Sequence, residues 1–212
     1  MNATVDKKKI HTMLWRMIAG AVFGAAMTAV FLLIFQPRMD PGDPSHMIAI
    51  IAGISYLLIG LSVGIGLVAP NAGSRFLNVE DADELREERP KLRSGAIACA
   101  LIGIFLLVLA LGPDGGLLSR AVTFWFAAAC LAGVIIASFM SRKTDELTRQ
   151  ITLEASAGTL HIALVVLAGW AALAELGYAP LLSPLGLVAG FAMLELIAIF
   201  AVSATKGLMT PR

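Results

Sequence analysis

Charge is what this sequence has least of. Only 15% of its 212 residues are Asp, Glu, Lys or Arg, whereas 58% are apolar and the mean hydropathy is +0.83. That balance lies outside the range of water-soluble globular domains and points to a membrane protein. Cysteine and histidine are scarcer still, at two and three residues. Cys99 and Cys130 both fall inside apolar runs, so they read as small buried hydrophobes and not as a disulfide frame or a metal pair. His11 and His46 sit at opposite edges of the apolar runs and His161 alone lies within one, which excludes a haem held by two histidines at one depth.

The common catalytic signatures are missing too. There is no G-x-x-x-x-G-K-S phosphate cradle, no G-x-G-x-x-G after a strand and no H-E-x-x-H. Ser55, Ser62 and Ser138 have no His or Lys at helical spacing to activate them. No cofactor, metal or nucleic-acid partner is therefore expected, and the chain reads more readily as a non-enzyme than as an enzyme.

What the sequence does have is six apolar runs, at about 13–35, 46–68, 95–112, 121–140, 156–177 and 183–204. A helix of about 20 residues rises 1.5 Å per residue and crosses roughly 30 Å of hydrocarbon. The expectation is an all-α polytopic membrane protein, a single domain over 1–212, with six spans arranged as three tandem hairpins. A secretory signal competes for the first run, but its apolar part would be only about 7–15 residues long and end at a small-x-small site. FLLIFQPRMD offers no such site. Trp15 and Arg16 then stand at headgroup level.

Charge placement sets the orientation. Fourteen of the 16 bases fall on one side of the six-span arrangement, and Arg38 and Arg120 alone on the other. The positive-inside rule puts both termini in the cytoplasm. The outer connections are short, so recognition is confined to the bilayer or the cytoplasmic face. Residues 74–94 hold six acids and five bases, with Arg89, Lys91 and Arg93 gathered at the membrane edge, where they suit anionic lipid headgroups.

A second charged lead-in, Asp145-Glu146-Leu147-Thr148-Arg149-Gln150-Ile151-Thr152-Leu153-Glu154-Ala155, fits D-E-x-x-R-x-I-x-x-x-A directly before the fifth run. It resembles a juxtamembrane pattern of small, uncharacterised bacterial inner-membrane proteins. The resemblance covers the last hairpin only and implies a bacterial inner membrane, with no reaction attached. Asp145 and Glu146 lie four and three residues before Arg149, a spacing that makes salt-bridging neighbours on a helix. Asp83-Glu84-Leu85 and Asp145-Glu146-Leu147 each precede a hairpin, a weak internal repeat.

Glu195 is the most anomalous residue. A charge at the bilayer centre costs at least about 2.5–3.5 kcal/mol, and Glu195 lies about 10–13 Å from the cytoplasmic end of its run at 1.5 Å per residue. It should face the interior, protonated or paired. His161 on the neighbouring antiparallel run is the expected partner. Glu154, His161, Ala168 and Glu175 recur every seven residues, a secondary polar stripe along one face. Gly20, Gly24, Gly53, Gly60, Gly64, Gly186 and Gly190 follow small-xxx-small spacings that allow close helix approach. Trp125 and Trp170 read as interface or packing residues.

Two functions fit these features. One is a non-catalytic scaffold or regulatory module that docks membrane lipid, a protein partner or a second copy of itself. The docking residues would be Arg89, Lys91, Arg93, Asp145, Glu146 and Arg149. The other is a small proton-linked transporter using Glu195 and His161.

Overall fold

Helix ends in this chain are set by a few local signals, and the packing by small residues. The computed structural model describes residues 15, 20, 22–31, 33–34, 44–71, 73, 86, 89–112, 118–140 and 146–206. Among them there is no strand, and the helices are α1 (Val22–Phe31), α2 (Ser45–Val68), α3 (Arg89–Ala110), α4 (Arg120–Met140), α5 (Glu146–Glu175) and α6 (Pro184–Thr205). Five of them, α2 to α6, are long and apolar enough to cross a membrane, so the chain is built as an all-helical, multi-pass membrane protein. Most of the first predicted run beyond α1, and most of segment 74–94, lie outside the described residues.

Two helices begin earlier than the hydropathy predicts. α3 starts at Arg89 instead of 95, and α5 at Glu146 instead of 156. In both cases the charged lead-in continues the helix, because a helix satisfies its own backbone in water as well as in lipid. The 30 residues of α5 measure about 45 Å at 1.5 Å per residue, against roughly 30 Å of hydrocarbon, so its first turns stand outside the apolar layer. α5 ends in a Schellman turn: Tyr178 N donates to Leu173 O at 2.8 Å and Gly177 N to Ala174 O at 3.0 Å. Gly177 takes the left-handed φ of 79° that this turn requires. Ser183 caps α6 by accepting from Gly186 N at 3.3 Å, with Pro184 in the first turn where its missing N–H is no loss.

α2 is the hub. The core consists of Ala49, Ile50, Ala52 and Ile54 from α2, Leu106 and Ala110 from α3 and Ala189 from α6, with Phe31 packed against it. α3 and α6 flank α2, α4 packs on α3, and α5 packs on α6, while α3 and α6 barely touch. The contacts fix directions. Gly53 meets Gly103 and Leu107 while Gly60 meets Ala96 and Ala100, so α2 and α3 run antiparallel. Gly133 against Leu101 and Gly112 against Thr123 make α3 and α4 antiparallel, and Leu167 beside Gly190 with Glu154 beside Lys206 does the same for α5 and α6. Ser45 beside Gly186 and Tyr56 beside Ala192 make α2 and α6 parallel. The starts of α3 and α5 and the ends of α2, α4 and α6 therefore share one end of the bundle.

The α2–α3 contact is backbone against backbone. A Cβ on Gly60 would stand 2.7 Å from Ala100 N and 2.8 Å from Ala96 O, which no side chain can vacate. Gly64, one turn on, has nothing within 4 Å, and Gly186 meets the Ser45 side chain, so the predicted small-residue spacings are used unevenly. Gly60→Ala should destabilise the protein by about 1–3 kcal/mol through overpacking. Gly64→Ala should be neutral or raise stability by up to roughly 1 kcal/mol from helix propensity. Thermal unfolding in detergent of the two variants checks this; equal effects would place the helix contact elsewhere.

Candidate functional site

An apolar span that contains a tyrosine must find a partner for its hydroxyl, because lipid offers none. Tyr56 stands about 16 Å along α2 from Ser45, near mid-membrane. It is 3% exposed, and its hydroxyl donates to the main-chain oxygen of Ala192 on α6 at 2.9 Å. Glu195 follows Ala192 on the next turn of α6, about 15 Å from Thr205, which is deeper than the sequence estimate. Its side chain is half-buried. Cys99 sits on α3 between Ala96 and Ala100, the residues against Gly60, and so at the same depth. Tyr56, Cys99 and Glu195 thus each stand near the middle of their own helix.

From the sequence Glu195 is expected to pair with His161. Among the described residues no hydrogen bond or ion pair joins them. His161 is exposed, and its Nδ1 lies 2.7 Å from Ala157 O on its own helix. The reason is helical geometry: α5 buries Ala155, Thr159 and Ala163, and a residue two positions from Thr159 points about 200° away at 3.6 residues per turn. Glu154, His161, Ala168 and Glu175 do share a face of α5, but all four are exposed. Glu154 is engaged near the start of α5, where Lys206 Nζ approaches it at 2.9 Å and Gln150 Nε2 donates to it at 2.9 Å. Glu175 lies near the other end of α5.

The residues expected from the sequence to dock fall at the end of the bundle where α3 and α5 begin. Arg89 and Arg93 are exposed on the first turns of α3, and Lys91 is part of the same helix. Glu146 and Arg149 approach to 3.7 Å at side-chain exposures of 85% and 67%, a surface pair worth at most about 1 kcal/mol. Asp145 lies outside the described residues. No group of three or more metal-ligating side chains occurs among the described residues. Ser55 and Ser138 each donate to the carbonyl four residues back, at 2.8 and 2.9 Å. At the opposite end Trp170 Nε1 donates to Pro180 O at 3.0 Å, and Trp125 lies 69% exposed in an edge-on contact with Phe124.

Comparison of the chain with protein-family models, curated proteins and solved structures found no match. Its site is therefore read from its own residues.

Tyr56 is not among the site residues expected from the sequence. The signal for its role was present, since a single phenol at the middle of an otherwise apolar span has an obligatory hydrogen bond to place. Tyr56→Phe should lower stability by about 0.5–1.5 kcal/mol, the net value of one hydrogen bond. His161→Leu should stay within about 0.5 kcal/mol of wild type, as expected for an exposed position. Melting temperatures of the two purified variants test the assignment, and a larger loss for His161→Leu would reinstate the pairing of the last two helices.

Proposed function

We propose that this chain is a bacterial inner-membrane protein acting as a non-catalytic scaffold or regulatory module, anchored by its helices and docking through charged segments at its cytoplasmic face. Its spans are six, arranged as three tandem hairpins, with both termini inside. The observation that supports the docking role most is the gathering of Arg89, Arg93, Glu146 and Arg149 as exposed groups at one end of the bundle. Long charged side chains on helix turns that emerge from the apolar layer meet headgroups and proteins first. Anionic lipid is the first ligand of that face, since Arg89, Lys91 and Arg93 follow one another along the emerging turns of α3. The transporter reading depends on a relay between Glu195 and His161, and the contacts of α5 leave His161 on the side away from α6's partners.

The test is a triple variant, Arg89→Gln with Lys91→Gln and Arg93→Gln, examined by native mass spectrometry after extraction from membranes containing anionic lipid. Retained anionic lipid should drop severalfold relative to wild type while zwitterionic lipid is unchanged. Equal retention in both proteins would overturn lipid docking at this face.

A further inference from the structure

α5 stands at one end of the packing order and packs on α6, with Ala155, Thr159 and Ala163 as its buried residues. At 3.6 residues per turn, two series spaced by seven fall on the opposite side, centred roughly 170° from that buried stripe. They are Glu154, His161, Ala168 and Glu175, and beside them Ala157, Leu164 and Ala171, all exposed. Other exposed positions of α5 carry bulky apolar side chains such as Leu160, Ile162, Val165 and Leu176. The far side has Leu164 as its one bulky residue between Glu154 and Glu175, and otherwise alanines and polar groups. That mixture is how helices associate within a bilayer, where small residues allow close approach and polar ones bond across.

His161 is the member of this face that lipid cannot satisfy. Glu154 and Glu175 are 21 residues apart, about 31 Å along the helix, so they stand at opposite edges of a hydrocarbon layer of roughly 30 Å. His161, seven residues in from Glu154, lies about 10 Å deep. Its Nδ1 stands 2.7 Å from Ala157 O. A carbonyl oxygen only accepts, so Nδ1 carries the hydrogen, and Nε2 of the neutral ring is left as an acceptor. Among the described residues Nε2 has no partner, and lipid tails supply no donor.

We propose, independently of the docking role, that this side of α5 is a homodimer interface, covered by α5 of a second copy of the chain about a two-fold axis along the membrane normal. Copies of one chain insert in one orientation, so in such a pair each residue of the stripe lies opposite its own equivalent at the same depth. Ala157, Ala168 and Ala171 then set small residue against small residue. The seven-residue spacing suits two parallel helices that cross left-handedly at about 20°. His161 comes to face its equivalent, and a single water on the axis, donating one hydrogen to each Nε2, satisfies both rings alike. Charge permits the self-pairing as well. Glu154 is compensated within its own chain by Lys206 Nζ at 2.9 Å, and Glu175 lies at the opposite, wet edge.

Cysteine cross-linking of the full-length chain in native membranes tests this, with Cys99→Ala and Cys130→Ala as background and copper phenanthroline as oxidant. Ala157→Cys, Ala168→Cys and Ala171→Cys, each introduced singly, should give a covalent dimer of the chain. Ile162→Cys and Val166→Cys should not, because those positions are also exposed but lie toward α6. Adding Ala168→Phe to Ala157→Cys should reduce the cross-linked fraction severalfold while the melting temperature of the purified chain is unchanged. Absence of a dimer from the three stripe positions, equal cross-linking all round the helix, or a stripe product joined to a different protein would each overturn the homodimer. The cysteine scan decides the matter by itself should the Ala168→Phe chain fail to fold.

Discussion

The hydrogen bond from Tyr56 to Ala192 O cannot be handed over to water, and the arrangement of the bundle depends on that. In hydrocarbon an unpaired phenol is costly, so α2 must lie beside a helix that presents an acceptor at mid-depth. The acceptor is 136 residues further along the chain. With that partner fixed, α6 runs parallel to α2, and α5, packed antiparallel on α6, occupies the outside. The other flank of α2 is settled by steric fit, because Gly53, Gly60 and Gly103 let α2 and α3 touch main chain to main chain. Directional bonding on one side and close packing on the other do what the hydrophobic effect cannot do between helices already in lipid.

The two ends of the bundle are finished differently. At one end Ser45 Oγ accepts from Ser183 N at 3.1 Å, Gly177 closes α5 and Trp170 bonds Pro180. Among the described residues, these bonds satisfy main-chain groups locally at that end. At the other end helices project with Arg89, Arg93, Glu146 and Arg149 exposed, and Lys206 ties α6 to Glu154. The two ends of the bundle and its middle thus differ in chemistry along one axis.

The spans were legible because runs of about 20 apolar residues have few other uses. Their starts were less so, since Arg89 to Ser94 and Glu146 to Ala155 are polar enough to read as loops yet continue as helix. Glu195 stood out from sequence alone because a mid-span carboxylate is expensive. Its surroundings did not, because α6 packs on α2, far away in sequence, as well as on the adjacent α5. The seven-residue stripe through His161 was correctly placed on one face of α5, but that face is turned outward. Ala155, Thr159 and Ala163, small residues at four-residue spacing, were the better guide to the packed face.

The central claim is that α2 and α6 are parallel neighbours, and cross-linking in native membranes tests it most directly. In a chain with Cys99→Ala and Cys130→Ala, the pair Ser45→Cys and Gly186→Cys should form a disulfide under mild oxidation, since Gly186 packs directly against the Ser45 side chain and a shift of about 1 Å brings the two Cβ atoms to disulfide spacing. The pair Ser45→Cys and Arg120→Cys, at the same end of the bundle but on a helix that does not pack against α2, should not. Failure of the first pair to cross-link, or equal cross-linking of both, would contradict the account.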